Sequence, residues 1–323
     1  MRRGDISLQQ ILSFLEKEGV DFSIDGVSSE NEKLTFQLAS TRHVINKGIY
    51  YLCNISLDNL PAITDSIVLT DCQLPVVKNN IVIVVENPQL IHYKLAAGRE
   101  ERPKPMIHPT AIVHPEAEIS PGAHIGPYCI LGKCKIGDNV VLMGTVTVNS
   151  GCEIMQNSIV ESHTVIGARG MAWIWDENGN RVMQPQSGGV IIEEDCIIGT
   201  GISIVRGSLS ENTIIGRGTV MAHGTKIGHG AVVGELVHFA NNVSLAGNTN
   251  IGKRVFLGSA CVVSSNVSIA DGCIIGAGAV VHRSVEESNC TLAGVPAVVI
   301  QRNNFESKPK GAPKPFRKTK NDE

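Results

Sequence analysis

The segment from Ile227 to Gly252 concentrates side chains that could carry chemistry. It places His229 and His238 nine residues apart, with Glu235 between them. An imidazole titrates near neutral pH, so either histidine could accept or donate a proton in an enzymatic reaction. A histidine in a repetitive sequence can equally be a turn residue that faces water, and the spacing alone leaves both interpretations open.

The element that must position these side chains is a repeat of six residues. An apolar residue falls on every sixth position of this part of the chain, and a small or branched residue follows four positions later. A period of six fits neither the alternation of a strand nor the 3.6-residue turn of a helix. It predicts a parallel β-helix, in which the apolar side chains stack in columns inside a solenoid. The apolar positions are Leu209, Ile215, Met221, Ile227, Val233, Phe239, Leu245, Ile251, Leu257, Val263, Ile269, Ile275 and Val281.

The same period extends upstream of this run. It continues from Ile107 to Ile166 with one step of five residues and then breaks at residues 167–189. It resumes after the break and reaches Leu209 by another step of five. We therefore predict one β-helix over residues 106–300, with an ejected loop at 167–189.

The two ends of the chain lack this period. Residues 1–105 predict a small α/β domain, with helices at 6–18 and 88–97. Residues 301–323 are rich in Lys and Pro and have almost nothing apolar to bury, so we predict a disordered basic tail. The strands of the N-terminal domain are predicted at residues 22–27, 33–38, 48–52, 66–69 and 80–85.

The composition argues against several classes of protein. A net charge of −3 over 323 residues disfavours a nucleic-acid partner. No stretch reaches the roughly 18 apolar residues of a membrane span, and the N-terminus is charged where a signal peptide is apolar, so we expect a cytoplasmic protein. Nine cysteines without a CxxC pair predict reduced core residues, and no metal is expected. Five of them occupy the small inward position of a hexad: Cys129, Cys152, Cys196, Cys261 and Cys273.

Residues 1–300 resemble the UDP-3-O-acylglucosamine N-acyltransferases of lipid A synthesis. The shared features are an N-terminal α/β domain followed by a β-helix, and the segment GMAWIWDENGNRVMQPQSGGVIIEEDCIIG at 170–199, which matches that family's insertion before its catalytic coils. The resemblance implies a left-handed β-helix and a homotrimer. It also implies that His229 is the general base and that Gly247, eighteen residues later, donates a backbone N–H to the oxyanion.

The chain departs from that family at several substrate positions. His223 stands in place of the Asn of an Asp-Asn pair, and His43 stands where the uracil cradle has a Tyr, although Phe36 of the cradle is kept. The family's C-terminal helices, which dock acyl carrier protein, are replaced by the basic tail. Trp173 and Trp175 of the ejected loop are expected either to pack on a neighbouring subunit or to cover the acceptor sugar or acyl chain.

The C-terminal third is also similar to the acetyl-CoA-dependent N-acetyltransferases of nucleotide-linked amino sugars. The similarity rests on HGAVVGELVHFANNVSLAGNTNIGKRVFLG at 229–258 and LAGVPAVVI at 292–300. It implies His229 as base, and His238 as the residue that positions the thioester. Ser265 and Arg283 continue the column of His229 and Gly247 at intervals of eighteen residues and are candidate coenzyme A contacts.

One further candidate comes from the same spacing. Glu211 precedes His229 by eighteen residues, which predicts that it lies in the same column one coil below and could orient the imidazole. A carboxylate at this position could equally be a turn residue that faces water.

We therefore expect an N-acyltransferase that acts on a UDP- or dTDP-linked amino sugar, with a short acyl group from acyl-CoA. One alternative is the lipid A enzyme itself, which uses acyl carrier protein as donor. Another is an inactive solenoid with a structural or binding role, because a hexapeptide repeat alone does not establish catalysis.

Overall fold

The computed structural model describes residues 5–53, 62–75, 79–99 and 101–303. The chain divides into two compact units, with the boundary between Arg102 and Pro103. The N-terminal unit contains β1 Ile6–Ser7, α1 Leu8–Lys17, β2 Phe22–Asp25, β3 Thr35–Leu38, β4 Gly48–Leu52, β5 Ile67–Thr70, β6 Ile81–Val85 and α2 Pro88–Ala97. Its six strands form one sheet in the order β1-β3-β4-β5-β6-β2. The inner strands are parallel and the two edge strands are antiparallel to their neighbours.

The first helix begins two residues later than predicted, while the second has the predicted bounds. Ile6 pairs with Phe36 in an edge strand, which keeps the start of the segment extended. The Ser7 side chain then accepts a hydrogen bond from the backbone N–H of Gln10, and the Gln10 side chain accepts one from the backbone N–H of Ser7. This capping box fixes the first turn of α1. Neither helix in the described part of the chain is long and apolar enough to cross a membrane.

A β-helix with three faces forms the C-terminal unit. Its strands are β7 Met106–Ile107, β8 Ile112–Val113, β9 Glu118–Ile119, β10 His124–Ile125, β11 Ile130–Leu131, β12 Lys135–Ile136, β13 Val141–Leu142, β14 Thr147–Val148, β15 Cys152–Ile154, β16 Ile159–Val160, β17 Val165–Ala168, β18 Trp173–Trp175, β19 Arg181–Met183, β20 Val190–Ile192, β21 Ile197–Ile198, β22 Ser203–Val205, β23 Thr213–Ile215, β24 Val220–Met221, β25 Lys226–Ile227, β26 Val232–Val233, β27 His238–Phe239, β28 Ser244–Leu245, β29 Asn250–Ile251, β30 Phe256–Leu257, β31 Val262–Val263, β32 Ser268–Ile269, β33 Ile274–Ile275, β34 Val280–Val281, β35 Cys290–Ala293 and β36 Val298–Arg302.

The strands of successive coils stack into three sheets. Face 1 contains β7, β10, β13, β16, β21, β24, β27, β30, β33, β35 and β36; face 2 contains β8, β11, β14, β17, β22, β25, β28, β31 and β34; face 3 contains β9, β12, β15, β20, β23, β26, β29 and β32. In the regular coils each strand pairs in parallel with the strand eighteen residues ahead, as His238 does with Phe256. Equivalent positions of successive coils therefore lie above one another.

The core of the β-helix consists of the apolar positions of the hexads. Ile227, Val233 and Phe239, on faces 2, 3 and 1, are each 1% exposed or less. Burying an aliphatic or aromatic side chain of this size contributes about 1.5–3 kcal/mol, so the stacked columns supply most of the favourable energy of the solenoid. The predicted fold class, a parallel β-helix of hexapeptide repeats with a small N-terminal α/β domain, is confirmed.

Two insertions interrupt the coils, and both connect face 2 to face 3. The first lies within residues 167–189, where a loop is predicted; it contains the antiparallel hairpin of β18 and β19. The second is the 206–212 loop, between β22 and β23. The predicted inward position of Leu209 is wrong, because this side chain lies in that loop and is 54% exposed. Ile204 on face 2 and Ile215 on face 3 are the consecutive inward positions along the chain.

The C-terminal end of the β-helix passes the predicted boundary at residue 300. β36 turns back and pairs antiparallel with β35, and it ends at Arg302. The additional backbone hydrogen bonds of this pair explain why the structure continues where the hexad period has ended. Residues 304–323, which form most of the predicted tail, lie outside the described residues.

Seven of the nine cysteines are buried core residues of the β-helix, as predicted. Cys53 and Cys72 lie in the N-terminal unit, where Cys53 is half-buried and Cys72 is exposed, so the prediction is wrong for these two. All nine are free, and the five at inward hexad positions are buried. Burial raises the pKa of Cys261 to about 12 and that of Cys196 to about 11. These thiols are therefore protonated at neutral pH and are poor nucleophiles.

Candidate active site

The turns between face 2 and face 3 form one edge of the β-helix, here called the 2/3 corner. His229, Gly247, Ser265 and Arg283 each lie two residues beyond the end of a face 2 strand, in four successive coils. The strands that precede them pair in parallel, so the four residues form a column along this corner. The structure thus brings together the column that the spacing predicts.

The imidazole of His229 lies directly against Gly247. A Cβ atom at Gly247 would come within 2.5 Å of His229 Nε2, so a side chain at this position would displace the ring. The backbone N–H of Gly247 has no hydrogen-bond acceptor among the residues that the structure describes. A free N–H donor beside an imidazole nitrogen is what a general base with an oxyanion donor requires.

Ser208, which the sequence did not indicate, contacts the other side of the imidazole. Its Oγ atom lies 3.1 Å from His229 Nδ1, and the residue is only 6% exposed. The 206–212 loop brings it there because this segment replaces the short turn of a regular coil below His229. This loop could not be recognised from the sequence, because the apolar side chain of Leu209 fits the period of six although it faces solvent.

Glu211 stabilises the conformation of the 206–212 loop. Its carboxylate accepts hydrogen bonds from the backbone N–H of Ser208, at 2.9 Å, and of Leu209, at 3.1 Å. The backbone N–H groups of Glu211, Leu209 and Ser208 lower the pKa of the Glu211 carboxyl to about 2. The spacing predicts that Glu211 lies one coil below His229 in the same column. In the structure the pairing of Ile214 with Val232 keeps the interval of eighteen, and the Glu211 side chain lies beside Gly230. The group that contacts the imidazole is the Ser208 hydroxyl of the same loop.

The hairpin insertion is attached to the same loop at its C-terminal base. Ser187 donates its backbone N–H to the carbonyl of Ser208, at 2.8 Å, and its hydroxyl to the carbonyl of Leu209, at 3.0 Å. Gly189 donates its N–H to the side chain of Asn212, at 2.8 Å. The two insertions and His229 therefore form one continuous hydrogen-bonded structure.

The two tryptophans lie on the exposed hairpin. The rings of Trp173 and Trp175 meet edge to face, with centroids 4.6 Å apart, and the Arg181 guanidinium lies 4.5 Å from the centroid of the Trp173 ring. The tryptophans are 40% and 57% exposed, respectively. Large apolar surface of this kind is typical of a contact with another molecule.

His238 does not share a site with His229 within one chain. It lies on face 1, which is opposite the 2/3 corner in a three-sided coil. Its imidazole stacks on Phe256, with ring centroids 5.1 Å apart and an interplanar angle of 13°. Desolvation by this burial lowers the pKa of His238 below its ordinary value.

His223 also lies apart from His229, at the turn between faces 1 and 2. Its side chain is exposed, and its Nδ1 atom accepts a hydrogen bond from the backbone N–H of Thr200 at 3.1 Å. The imidazole therefore connects its own turn to the equivalent turn of the preceding coil.

The proposed uracil contact of Phe36 is wrong. Phe36 is 1% exposed and packs in the core of the N-terminal unit, because the alternation of β3 turns its ring inward. His43 is exposed in the same unit and pairs with Ser40 in an isolated β-bridge. Within the described ranges, no group of three or more His, Cys, Asp or Glu side chains could hold a metal ion.

The β-helix matches two family models. The bacterial transferase hexapeptide (six repeats) matches residues 133–168 and 248–283, and the hexapeptide repeat of succinyl-transferase matches residues 181–206. Both models describe hexapeptide repeats of transferases.

Curated relatives confirm the resemblance inferred from the sequence. The chain resembles UDP-3-O-acylglucosamine N-acyltransferases. It is 35% identical to that of Herminiimonas arsenicoxydans over 153 residues, which are 47% of this chain and 43% of the relative. It is 38% identical to that of Coxiella burnetii over 110 residues, 34% of this chain and 28% of the relative. The chain thus matches less than half the length of these relatives.

Solved structures of acyltransferases share the β-helix. The UDP-N-acetylglucosamine O-acyltransferase of Moraxella catarrhalis is 28% identical with a TM-score of 0.55, and the match covers 60% of this chain and 73% of that one. The Arabidopsis UDP-N-acetylglucosamine acyltransferase is 27% identical with a TM-score of 0.50 and the same coverage. Both groups of relatives therefore transfer acyl groups.

Proposed function

We propose that this protein is an N-acyltransferase that acylates the amino group of a nucleotide-linked amino sugar at the 2/3 corner. The observation that carries the proposal is the contact between the His229 imidazole and Gly247, whose backbone N–H is free to bind an oxyanion. The names of the relatives support the acceptor, since each contains a UDP-linked glucosamine.

The reaction needs only these two groups and a thioester. The amine nitrogen attacks the thioester carbonyl carbon, and the N–H of Gly247 stabilises the oxyanion that forms. The attacking nitrogen loses a proton to Nε2 of His229 as the C–N bond is made. The C–S bond then breaks, the thiolate takes up the proton, and the products are an amide and a free thiol.

We propose free acyl-CoA as the donor, with a short acyl group. Ser265 and Arg283 support this choice, because both are exposed beyond Gly247 in the same column and can meet the phosphates of coenzyme A. The second candidate is the transfer to UDP-3-O-acylglucosamine from acyl carrier protein, which the names of the curated relatives favour. Both donors present the same thioester to His229.

The proposed enzyme is a homotrimer in which the site is shared between subunits. His229 and His238 lie on opposite sides of one chain, so they can contact one substrate only if face 1 of a neighbour meets the 2/3 corner. The exposed Trp173 and Trp175 would then pack against the surface of a neighbouring subunit. Sedimentation should give about three times the 34.5 kDa chain mass.

The proposed substrates are cytoplasmic metabolites, and we propose the same compartment for the enzyme.

The decisive experiment is a matrix of donors and acceptors with the purified full chain. UDP- and dTDP-linked amino sugars and UDP-3-O-acylglucosamine are each combined with acetyl-CoA, with acyl-CoAs of four or five carbons and with hydroxyacyl carrier protein. We expect mass spectrometry to show an N-acylated sugar with a short acyl-CoA. Product only with the carrier protein would establish the second candidate. No product and no rise in melting temperature with any substrate would indicate an inactive solenoid.

A further inference from the structure

We propose that Lys226, on face 2 of the coil that carries His229, binds the diphosphate of the nucleotide-linked acceptor. The inference rests on the proposed function and deepens it, because it assigns a binding residue to the charged part of the same substrate. A diphosphate is an anion rich in oxygen acceptors, and a lysine ammonium is a common partner for such a group in proteins.

The outward side chains of face 2 change character at the level of His229. Parallel pairing aligns one outward residue of each coil in a single row along this face. Apart from Thr147 the row is apolar in the lower and upper coils, and it is polar only in the coil of His229 and the two coils next to it. Lys226 is the one charged residue of the row. In order, the row contains Ile112, Ile130, Thr147, Val165, Ser203, Lys226, Ser244, Val262 and Val280.

Lys226 differs from the other lysines of the coils in its surroundings. Among the residues that the structure describes, no carboxylate lies within ion-pair distance of Lys226, although its side chain is exposed. The other three lysines each have such a partner. These pairs are Lys133 with Glu116 at 2.8 Å, Lys135 with Glu118 at 3.8 Å and Lys253 with Glu235 at 3.6 Å. The Lys226 ammonium is therefore available to an anion from outside the chain.

Two serines lie on either side of Lys226. Ser203 and Ser244 are its pairing partners in the neighbouring coils, and both are half-buried. Adjacent strands are about 4.8 Å apart, so the three side chains leave the face next to one another. A hydroxyl can donate one hydrogen bond and an ammonium can donate three. The row therefore presents several donors and one positive charge, which matches a group with two phosphates.

The place of Lys226 in the coil favours the acceptor as the source of these phosphates. Lys226 precedes His229 by three residues, which span at most about 10 Å. The diphosphate of a nucleotide-linked sugar is attached to the ring that carries the amine, so one acceptor can contact both residues. The proposed donor instead lies along Gly247, Ser265 and Arg283, in the coils above.

Calorimetric titration of the full chain with UDP, dTDP and coenzyme A tests the site without turnover. Lys226→Met should weaken the binding of UDP or dTDP by about ten- to a hundredfold, the effect of one lost charge-assisted hydrogen bond, and Lys226→Arg should keep most of the affinity. Lys135→Met is the control, because Lys135 begins the same Lys-Ile-Gly sequence at the same exposed hexad position on face 3.

Three results of the titration would overturn the inference. One is equal nucleotide affinity in Lys226→Met and Lys135→Met. Another is a loss of coenzyme A affinity in Lys226→Met with unchanged nucleotide affinity, which would assign Lys226 to the donor. The third is no binding of UDP or dTDP by the unsubstituted protein.

Steady-state kinetics separate this inference from the proposed function. With the acceptor that gives product, Lys226→Met should raise KM for the acceptor by about ten- to a hundredfold and leave KM for the donor unchanged. An unchanged KM for the acceptor would retain the proposed function and reject the diphosphate site. Nucleotide binding that depends on Lys226, in a chain that acylates no sugar, would retain the site and reject the proposed function.

Discussion

The coils from Ile215 to Val281 repeat every six residues without exception, whereas the chain between Ala168 and Thr213 twice leaves the β-helix and returns. The regular coils supply fixed spacing, which places Gly247 one coil above His229. In this chain they supply no group to the other side of the imidazole, because the coil below His229 is the one that the 206–212 loop interrupts. The irregular segment does so with Ser208. Chemistry on a solenoid thus depends on where its repeat is broken.

The largest expected effect tests whether the site lies at that corner. His229→Ala should lower kcat by about 10²- to 10⁴-fold, the range typical of the loss of a general base, with the trimer and donor affinity retained. His223→Ala is the matched comparison, because His223 is an exposed turn histidine at a different corner. Steady-state kinetics of both variants decide the assignment. A large loss in His223→Ala with normal turnover in His229→Ala would move the base to the other corner.

The second test compares two leucines that the period of six assigns to the same inward position of a hexad. Leu245→Ala should destabilise the protein by about 2–5 kcal/mol, because the side chain is buried in the inward column. Leu209→Ala should change stability by less than about 0.5 kcal/mol, because the side chain faces solvent in the 206–212 loop. Chemical denaturation of the two variants provides the measurement. Comparable destabilisation by both would mean that Leu209 is a core residue after all.

The same pair of leucines shows how far the sequence could predict the fold. Period and composition together identify Leu245 as a core residue, since buried columns repeat with the coil. They cannot identify Leu209 as exposed, because an apolar residue at the right interval produces the same signal in a loop. The α2 helix was predictable to the residue, with Pro88 at its first turn. The hairpin was not, because its pairing depends on a turn within a short polar segment.

The candidate site was predictable to the same extent. Simple arithmetic in steps of eighteen puts Gly247 beside His229, and the structure shows the contact. It also puts Glu211 one coil below His229, and the Glu211 side chain does lie beside Gly230, but it does not find Ser208, because the 206–212 loop is not a hexad turn. Phe36 failed for another reason: an aromatic residue in a short strand faces either the core or solvent, and the tertiary packing of the N-terminal unit decides which.

The third test adds a single methyl group to the regular coil at the site. Gly247→Ala would place Cβ 2.5 Å from His229 Nε2, so the ring must move from the backbone donor. We expect kcat to fall by about 10²- to 10³-fold, similar to the loss of an oxyanion donor, with little change in melting temperature. Gly144→Ala is the control, because a methyl group there meets nothing nearer than 3.3 Å. An unaffected kcat in Gly247→Ala would remove Gly247 from the site.

The smallest expected effect concerns His238, on the face opposite the 2/3 corner. Burial lowers the pKa of His238 below its ordinary value of 6.5, so at acidic pH the unfolded chain binds a proton that the folded chain binds less readily. His238 therefore weakens the fold as the pH decreases through 6.5 toward the folded value, and the effect is absent well above 6.5. His238→Phe keeps a ring to stack on Phe256 and removes the titration. Melting temperatures at pH 7.5 and 5.5 should differ less in this variant than in the unsubstituted protein. An equal difference would show that folding does not favour the neutral form of His238.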